Sequence, residues 1–248
     1  MKKSILISLI CIFAVLAMGI LSAGAEAVRV AINPDSKPFK YFDENDVFSG
    51  IDADVINGIA EIQGLEIEFV VMDFDKIIDA VASCEVDAAI SALTLTENRS
   101  AVVSFTDPYI MGLQSTFVTL NHDGWKDISD PEVKTIGAKA GTTAEETGKI
   151  LAGMNDCELK TFAGYAELFE ALEKGVIDAA IADELLAKEF VDTYKDMMTL
   201  GQPLSTEPYA IAVCPSNTEL VSVLNQGLNE LRRTGRLDEI VLTNLSGK

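Results

Sequence analysis

Two segments of this chain, 91 residues apart, match each other without a gap, and this internal repeat constrains the fold more than any other feature. Residues 73–91 align on residues 164–182, and each segment joins an amphipathic helical pattern to a short apolar run. The matching identities can come from duplication or from chance similarity of two helix–strand units. Either explanation predicts a helix followed by a buried strand at both places. The five identities are Ala80, Asp87, Ala88, Ala89 and Ile90, which meet Ala171, Asp178, Ala179, Ala180 and Ile181.

Strand and helix patterns alternate around both copies of the repeat. Residues 28–33 and 65–71 have strand patterns, and a helical pattern between them ends at Gly64. This alternation predicts parallel β-α-β units, and its restart predicts two α/β lobes, each a mostly parallel sheet flanked by helices. Two extended stretches, residues 114–120 and 209–213, would then cross between the lobes and form a hinge.

The N-terminal segment has the three parts of a secretory signal. Met1-Lys2-Lys3 is positively charged, residues 5–21 are apolar, and small residues follow at 23–25, so we expect cleavage after Ala25. A retained membrane anchor is the open alternative, because an apolar run of 17 residues is at the lower limit for spanning a bilayer. In either case the rest of the chain is expected to work outside the cytoplasm, in the periplasm or the extracellular space.

The charge balance limits the possible partners. The chain has 39 acidic and 19 basic side chains, a formal net charge of −20 and a pI near 4.3. Such a surface repels phosphate backbones, so nucleic-acid binding is excluded as a function class.

Cysteine and histidine are too few for a metal site. After the signal segment only Cys84, Cys157 and Cys214 remain, so any disulfide leaves one thiol, and the pairing stays open. The only histidine is His122, and no spacing matches a zinc motif. We expect no metal and no cofactor.

The first candidate site follows the strand of the first repeat copy. A buried strand is predicted to end at Ser91, a polar loop then presents Thr94, and Thr96 can cap a short helix that carries Arg99. Ligands of parallel sheets bind at the carboxyl ends of the strands, and an arginine there can bind a carboxylate through two hydrogen bonds. A surface salt bridge of Arg99 is the alternative.

Two more elements belong to the second lobe. Thr142 and Glu145 fit a capping box, and the backbone N–H groups of such a helix start attract anions; an ordinary capped helix is the alternative. Asp183 ends the strand of the second repeat copy and could bind an ammonium group, or simply cap the next helix. Together, Arg99, these N–H groups and Asp183 indicate a receptor for a zwitterion.

The chain resembles the extracellular solute-binding proteins that deliver polar amino acids to ABC importers (bacterial solute-binding protein family 3). The resemblance covers about residues 28–245 and implies a type II periplasmic-binding-protein fold with two hinge strands. The motifs that carry it are Pro38-Phe39, residues 50–54 (Gly-Ile-Asp-Ala-Asp), residues 73–75 (Asp-Phe-Asp), residues 91–99, residues 105–109, residues 140–143 and residues 176–178.

The resemblance also implies roles. Arg99 and the amides of Thr142 and Thr143 would bind the α-carboxylate, Asp183 with Ser91 and Thr94 the α-ammonium, and Phe74 would pack on the ligand side chain. The whole expected binding set is Asn33, Phe39, Phe74, Ser91, Ala92, Thr94, Arg99, Lys139, Gly141, Thr142, Thr143 and Asp183.

Three positions bear on the ligand side chain. Ser36 stands where relatives often have an aromatic residue, which weakens stacking. Asn33 stands where relatives for basic amino acids carry an acid, which disfavours a cationic side chain. Lys139 resembles a lysine of glutamine-binding relatives and could contact an amide or carboxylate; a solvated lysine at a strand end is the alternative.

We therefore expect a monomeric receptor, without catalytic residues, whose partners are an amino acid and the membrane permease of an ABC importer. The expected division is a signal peptide at 1–25, lobe I at 26–116 and 209–248, and lobe II at 117–208. Two alternatives remain: a periplasmic enzyme on the same scaffold, similar to cyclohexadienyl dehydratase, and a ligand-sensing receptor domain.

Overall fold

The structure, a computed structural model, describes residues 26–120, 125, 130, 132–194 and 196–246. The predicted signal segment at residues 1–25 lies outside these ranges, as does His122. Among the residues described, no helix is both long and apolar enough to cross a bilayer.

The described elements form two lobes, each with its own sheet. In chain order the strands are β1 (Val28–Ile32), β2 (Tyr41–Phe42), β3 (Phe48–Ser49), β4 (Ile67–Val71), β5 (Ala88–Ala89), β6 (Ser104–Phe105), β7 (Ile110–Leu120), β8 (Thr135–Lys139), β9 (Glu158–Phe162), β10 (Ala179–Asp183), β11 (Met197–Leu200), β12 (Ser205–Tyr209) and β13 (Ala212–Val213). The helices are α1 (Ile51–Gln63), α2 (Phe74–Ala82), α3 (Glu97–Ser100), α4 (Thr143–Asn155), α5 (Tyr165–Glu173), α6 (Glu184–Thr193), α7 (Thr218–Thr234) and α8 (Arg236–Ser246).

Both sheets are mixed rather than mostly parallel. The first has the order β4-β1-β5-β13-β6, in which β4, β1 and β5 are parallel and β13 is antiparallel to its neighbours. The second has the order β11-β7-β10-β8-β9, in which only β10, β8 and β9 are parallel. The predicted β-α-β units account for the parallel strands. The antiparallel strands are those that cross between the lobes or return to a sheet after a crossing.

The repeat is visible in the structure. Helix α2 and strand β5 in the first lobe correspond to helix α5 and strand β10 in the second, and both helices begin at the predicted offset. The shared aspartates play one role: Asp87 accepts a hydrogen bond from the Arg29 N–H at 2.8 Å, and Asp178 accepts one from the Thr135 N–H at 2.7 Å. Each carboxylate therefore ties the start of its strand to the strand beside it.

The chain crosses between the lobes twice. The two crossing segments are the first half of β7, residues 110–114, and β12, which pair with each other. The predicted crossing at residues 114–120 begins too late, because residues 116–119 already pair with β10 of the second sheet. The predicted crossing at residues 209–213 also begins too late, because β12 ends at Tyr209. Residues 212–213 are β13 of the first sheet, because their apolar side chains belong to the buried core of the first lobe.

A disulfide joins two distant parts of the first lobe. Cys84, after α2, is bonded to Cys214, after β13, at a sequence separation of 130. Among the cysteines that the structure describes, Cys157 is free, and it is half-buried. The pairing that the sequence left open thus ties the N-terminal part of this lobe to its C-terminal part.

Candidate functional site between the lobes

Most of the predicted site residues line a small cavity of about 20 Å³ between the two lobes. A groove of about 650 Å³ opens elsewhere, between α6 and α8, but it contains none of the predicted residues. The smaller cavity is the candidate site, because charged side chains from both lobes line it. Its lining comprises Ser36, Lys40, Phe74, Ser91, Ala92, Thr94 and Arg99 from the first lobe and Thr142, Thr143, Ala144, Tyr165 and Asp183 from the second.

Arg99 lies in the first turn of α3, where the Thr96 hydroxyl accepts a hydrogen bond from its backbone N–H at 3.2 Å. Its guanidinium donates to the Thr94 carbonyl at 2.8 Å and, across the cleft, to the Gly141 carbonyl at 2.9 Å. Its polar partners are therefore backbone carbonyls and not the carboxylate of a surface salt bridge. Burial lowers the pKa of Arg99, but a guanidinium remains charged at any physiological pH.

The loop that carries Ser91 and Thr94 is held in place by Asp52. Ala92 has a positive φ of 47°, and its N–H donates to the Asp52 carboxylate at 2.7 Å. The Tyr109 hydroxyl donates to the other carboxylate oxygen, also at 2.7 Å. Burial raises the pKa of Asp52 to about 6, although both hydrogen bonds act in the opposite direction.

Asp183 faces the cavity instead of capping a helix. It occupies the N-cap position of α6, but its side chain makes no capping hydrogen bond. Its carboxylate accepts from the hydroxyls of Tyr209 and Tyr165, the latter at 3.4 Å. Burial raises the pKa of Asp183, because the charged carboxylate has lost most of its water.

The start of α4 is capped, but its N–H groups are not all available to an anion. The Thr142 hydroxyl accepts from the Glu145 N–H, and the Glu145 carboxylate accepts from the Gly141 N–H at 2.7 Å. The Thr143 hydroxyl donates to Glu207 at 3.2 Å. The expected anion site at this helix start is thus partly filled by the chain's own carboxylates.

Two lysines share one aspartate beside the cavity. The Lys139 ammonium donates to Asp35 at 2.5 Å and to the Asn33 side-chain oxygen at 2.6 Å. The Lys40 ammonium donates to the other Asp35 oxygen at 2.6 Å and to the Ser36 hydroxyl at 2.9 Å. Burial by itself would raise the pKa of Asp35, but the two lysines hold it below its ordinary value.

The family described as bacterial extracellular solute-binding proteins, family 3, matches residues 28–245. The chain belongs to this family. As a family 3 solute-binding protein it is a binding protein and not an enzyme, and the predicted two-lobed type II fold is confirmed.

Individual relatives of this solute-binding protein are similar along most of their length. A probable histidine-binding protein of Campylobacter jejuni is 29% identical over 216 residues, which cover 86% of this chain and 83% of the relative. An ancestral arginine-binding protein solved with arginine has a TM-score of 0.81 and 33% identity over 87% of this chain and 96% of that one. An ancestral arginine-binding protein solved with glutamine has a TM-score of 0.82 and 33% identity over 90% of this chain and 99% of that one.

Most of the expected binding set lines the cavity of this family 3 protein, with four exceptions. Asn33 and Lys139 contact each other at its edge, and Gly141 accepts the Arg99 hydrogen bond. Phe39 does not reach the cavity, because it is 1% exposed and packs edge-on against Tyr209 in the core of the first lobe.

The side chains at or beside the site that sequence reasoning did not assign include Asp35, Lys40, Asp52, Ala144, Tyr165 and Tyr209. A signal existed for Tyr165, which is the repeat counterpart of Phe74. Each of these two aromatic residues begins its helix and faces the cleft from its own lobe. No spacing pattern marked Asp35 and Lys40, since their role depends on Lys139 from the other lobe.

Proposed function

We propose that this protein binds a polar amino acid between its lobes and delivers it to the membrane permease of an ABC importer. Family membership and relatives named as amino-acid-binding proteins confirm the predicted class, a receptor for ABC transport. The observation that carries the residue roles is that Arg99 from one lobe and Asp183 from the other line the same cavity.

These two residues match the two charges of a zwitterion. Arg99 has five N–H donors and uses two of them on carbonyls, which leaves donors for an α-carboxylate. Asp183, with Ser91 and Thr94 nearby, is a half-buried carboxylate suited to an α-ammonium. Because one ligand would contact both lobes, its binding favours the conformation in which the lobes are together.

The proposal extends to the organisation of the chain. We assign residues 1–25 to a signal segment, 26–116 and 209–248 to lobe I, and 117–208 to lobe II. The receptor would act as a monomer in the periplasm or extracellular space, released by cleavage or held by its N-terminal segment. The crossing strands β7 and β12 would form the hinge, since they pair with each other where the chain passes between the sheets.

Calorimetric titration of the mature chain with the twenty common amino acids tests this proposal. At least one should bind, and Arg99→Met and Asp183→Asn should each weaken it about 30-fold or more, because each leaves a buried ligand charge unpaired. Arg233→Met is the matched control, since Arg233 is exposed and pairs only with Glu230 of its own helix. The proposal fails if no amino acid binds, or if both site variants bind like the control.

A further inference from the structure

Two of the segments that carry the family resemblance, residues 50–54 and residues 105–109, have no part in the proposed function, and the structure brings them together. Asp52 of the first segment lies in the first turn of α1 and is fully buried. Tyr109 of the second segment is 3% exposed, and its hydroxyl donates to one oxygen of the Asp52 carboxylate at 2.7 Å. The two segments therefore meet at a buried hydrogen bond.

The other Asp52 oxygen accepts a hydrogen bond from the ligand loop (residues 91–94). The donor is the Ala92 N–H, at 2.7 Å. Ala92 has a positive φ of 47°, which is unfavourable for a residue with a β-carbon, so the loop needs a partner that holds it in this conformation. Ser91 and Thr94 lie on either side of Ala92 and line the cavity. Asp52 thus fixes the backbone between two side chains of the cleft.

Tyr109 connects the ligand loop to the crossing strands. It immediately precedes β7, and its backbone N–H donates to the carbonyl of Tyr209, the last residue of β12, at 2.8 Å. The Tyr209 hydroxyl in turn donates to Asp183 of the second lobe. Hydrogen bonds therefore run from the ligand loop through Asp52 and Tyr109 to the point where both crossing strands meet the first lobe.

We propose that Asp52 and Tyr109 are positioning residues: they hold the ligand loop in its binding conformation beside the hinge, so that the first lobe's half of the site is formed before the ligand binds. Neither side chain lines the cavity, so both act through the loop. A preformed loop does not have to be ordered on binding, which leaves more of the interaction energy for affinity. The inference rests on the proposed function, which places Ser91 and Thr94 at the ligand ammonium.

Calorimetric titration of variants tests this inference, with whichever of the twenty common amino acids binds the unchanged protein most tightly. Asp52→Ala leaves the Ala92 N–H without its acceptor, so affinity should fall about tenfold or more. Asp52→Asn keeps an acceptor for that N–H and a donor for the Tyr109 oxygen, so its affinity should stay within about threefold of the unchanged protein. An affinity as low as that of Asp52→Ala would contradict a positioning role.

A double variant tests whether the two residues act together. Tyr109→Phe removes one hydroxyl, so that Asp52 holds the ligand loop without its link to the hinge, and affinity should fall about threefold or more. In the Asp52→Ala background the same change should have no further effect on affinity, because the carboxylate through which Tyr109 acts is gone. Additive losses would show that the two residues act separately, and would overturn the inference.

Asp87→Ala is the matched control for a loss of stability alone. Asp87 accepts the Arg29 N–H at 2.8 Å and directly precedes β5, at the end of the strand away from the ligand loop. This variant should lower the free energy of unfolding in urea and leave the affinity unchanged.

The inference is overturned if Asp52→Ala binds like the unchanged protein, or if Asp87→Ala loses as much affinity as Asp52→Ala. Should Asp52→Ala fail to fold, Tyr109→Phe decides in its place, and an unchanged affinity overturns the inference. In each of these cases loss of binding in Arg99→Met would still support the proposed function, whereas failure of every amino acid to bind would refute both.

Discussion

Gly141 and Asp75 lie backbone to backbone across the cleft. A β-carbon built on Gly141 would stand 2.7 Å from the Asp75 α-carbon, closer than real β-carbons approach other atoms. Gly141 comes just before helix α4 of the second lobe, and Asp75 is in the first turn of helix α2 of the first lobe. This close approach exists only while the lobes are together, so it provides a test of closure.

Gly141→Ala should weaken ligand binding about tenfold or more, because the added methyl group holds the lobes apart and separates the two halves of the site. Gly141 also has a positive φ of 76°, so the substitution strains the backbone as well. Gly175→Ala is the matched control, since Gly175 has a φ of 65° and no atom within 4 Å of an added β-carbon. Both variants should lose similar thermal stability, and equal ligand affinity in calorimetry would contradict a closing contact.

Lys139 should make folding less stable as the pH falls. Its pKa near 7 in the folded chain is set by burial and by Lys40, with Asp35 and Asp183 acting in the opposite direction, whereas its ordinary value is 10.5. The unfolded chain therefore binds this proton more tightly than the folded chain, and the loss of stability grows as the pH falls from about 10 towards 7. Urea unfolding of Lys139→Met should show a flatter pH profile over this range than the unchanged protein, and identical profiles would contradict this assignment.

Asp52 should make folding less stable as the pH rises. Its buried carboxyl has a pKa of about 6 against an ordinary 3.8, so the folded chain holds this proton more tightly than the unfolded chain. That contribution is complete below about pH 4 and is lost as the pH rises through 6, up to about 3 kcal/mol.

Asp52→Asn keeps an oxygen for the Ala92 N–H and a donor for Tyr109, without the charge. We expect a higher free energy of unfolding in urea near neutral pH and a flatter pH profile for this variant. Asp238→Asn, at an exposed position of α8, should leave the profile unchanged. The prediction is wrong if the Asp52 and Asp238 variants show the same profile.

Loss of the Cys84–Cys214 disulfide should destabilise the protein. The bond closes a loop with a sequence separation of 130, and a loop of this size restricts the unfolded chain strongly. We expect the double variant Cys84→Ser/Cys214→Ser to lose about 2–5 kcal/mol in denaturant unfolding. Cys157→Ser should change stability little, since Cys157 has no disulfide. Adding a reductant should shift the midpoint of the unchanged protein but not that of the double variant.

Local sequence pattern was sufficient to predict the two repeated helix–strand units. The helices that start at Phe74 and Tyr165, and the strands after them, follow from apolar periodicity and the shared Asp87 and Asp178 positions. The location of Arg99 and Asp183 at the cavity also follows from local pattern, because Arg99 comes shortly after a buried strand and Asp183 ends one, where parallel sheets bind ligands.

Long-range contacts could not be predicted in the same way. Asp35 and Lys139 are 104 residues apart, and lysine is among the residues least often buried, so nothing local marked Lys40 or Lys139 as part of a buried network. The second crossing was misplaced because an apolar run such as residues 209–213 suits a crossing strand and a core strand equally well.

The sharing of Asp35 by two lysines also affects how this receptor could evolve. A largely buried carboxylate that loses its only cationic partner destabilises the fold strongly, so selection usually removes such a mutation. Here a mutation of Lys139 leaves Asp35 paired with Lys40, so the fold tolerates the step. A single substitution could therefore change the charge beside the cleft without passing through an unfolded ancestor.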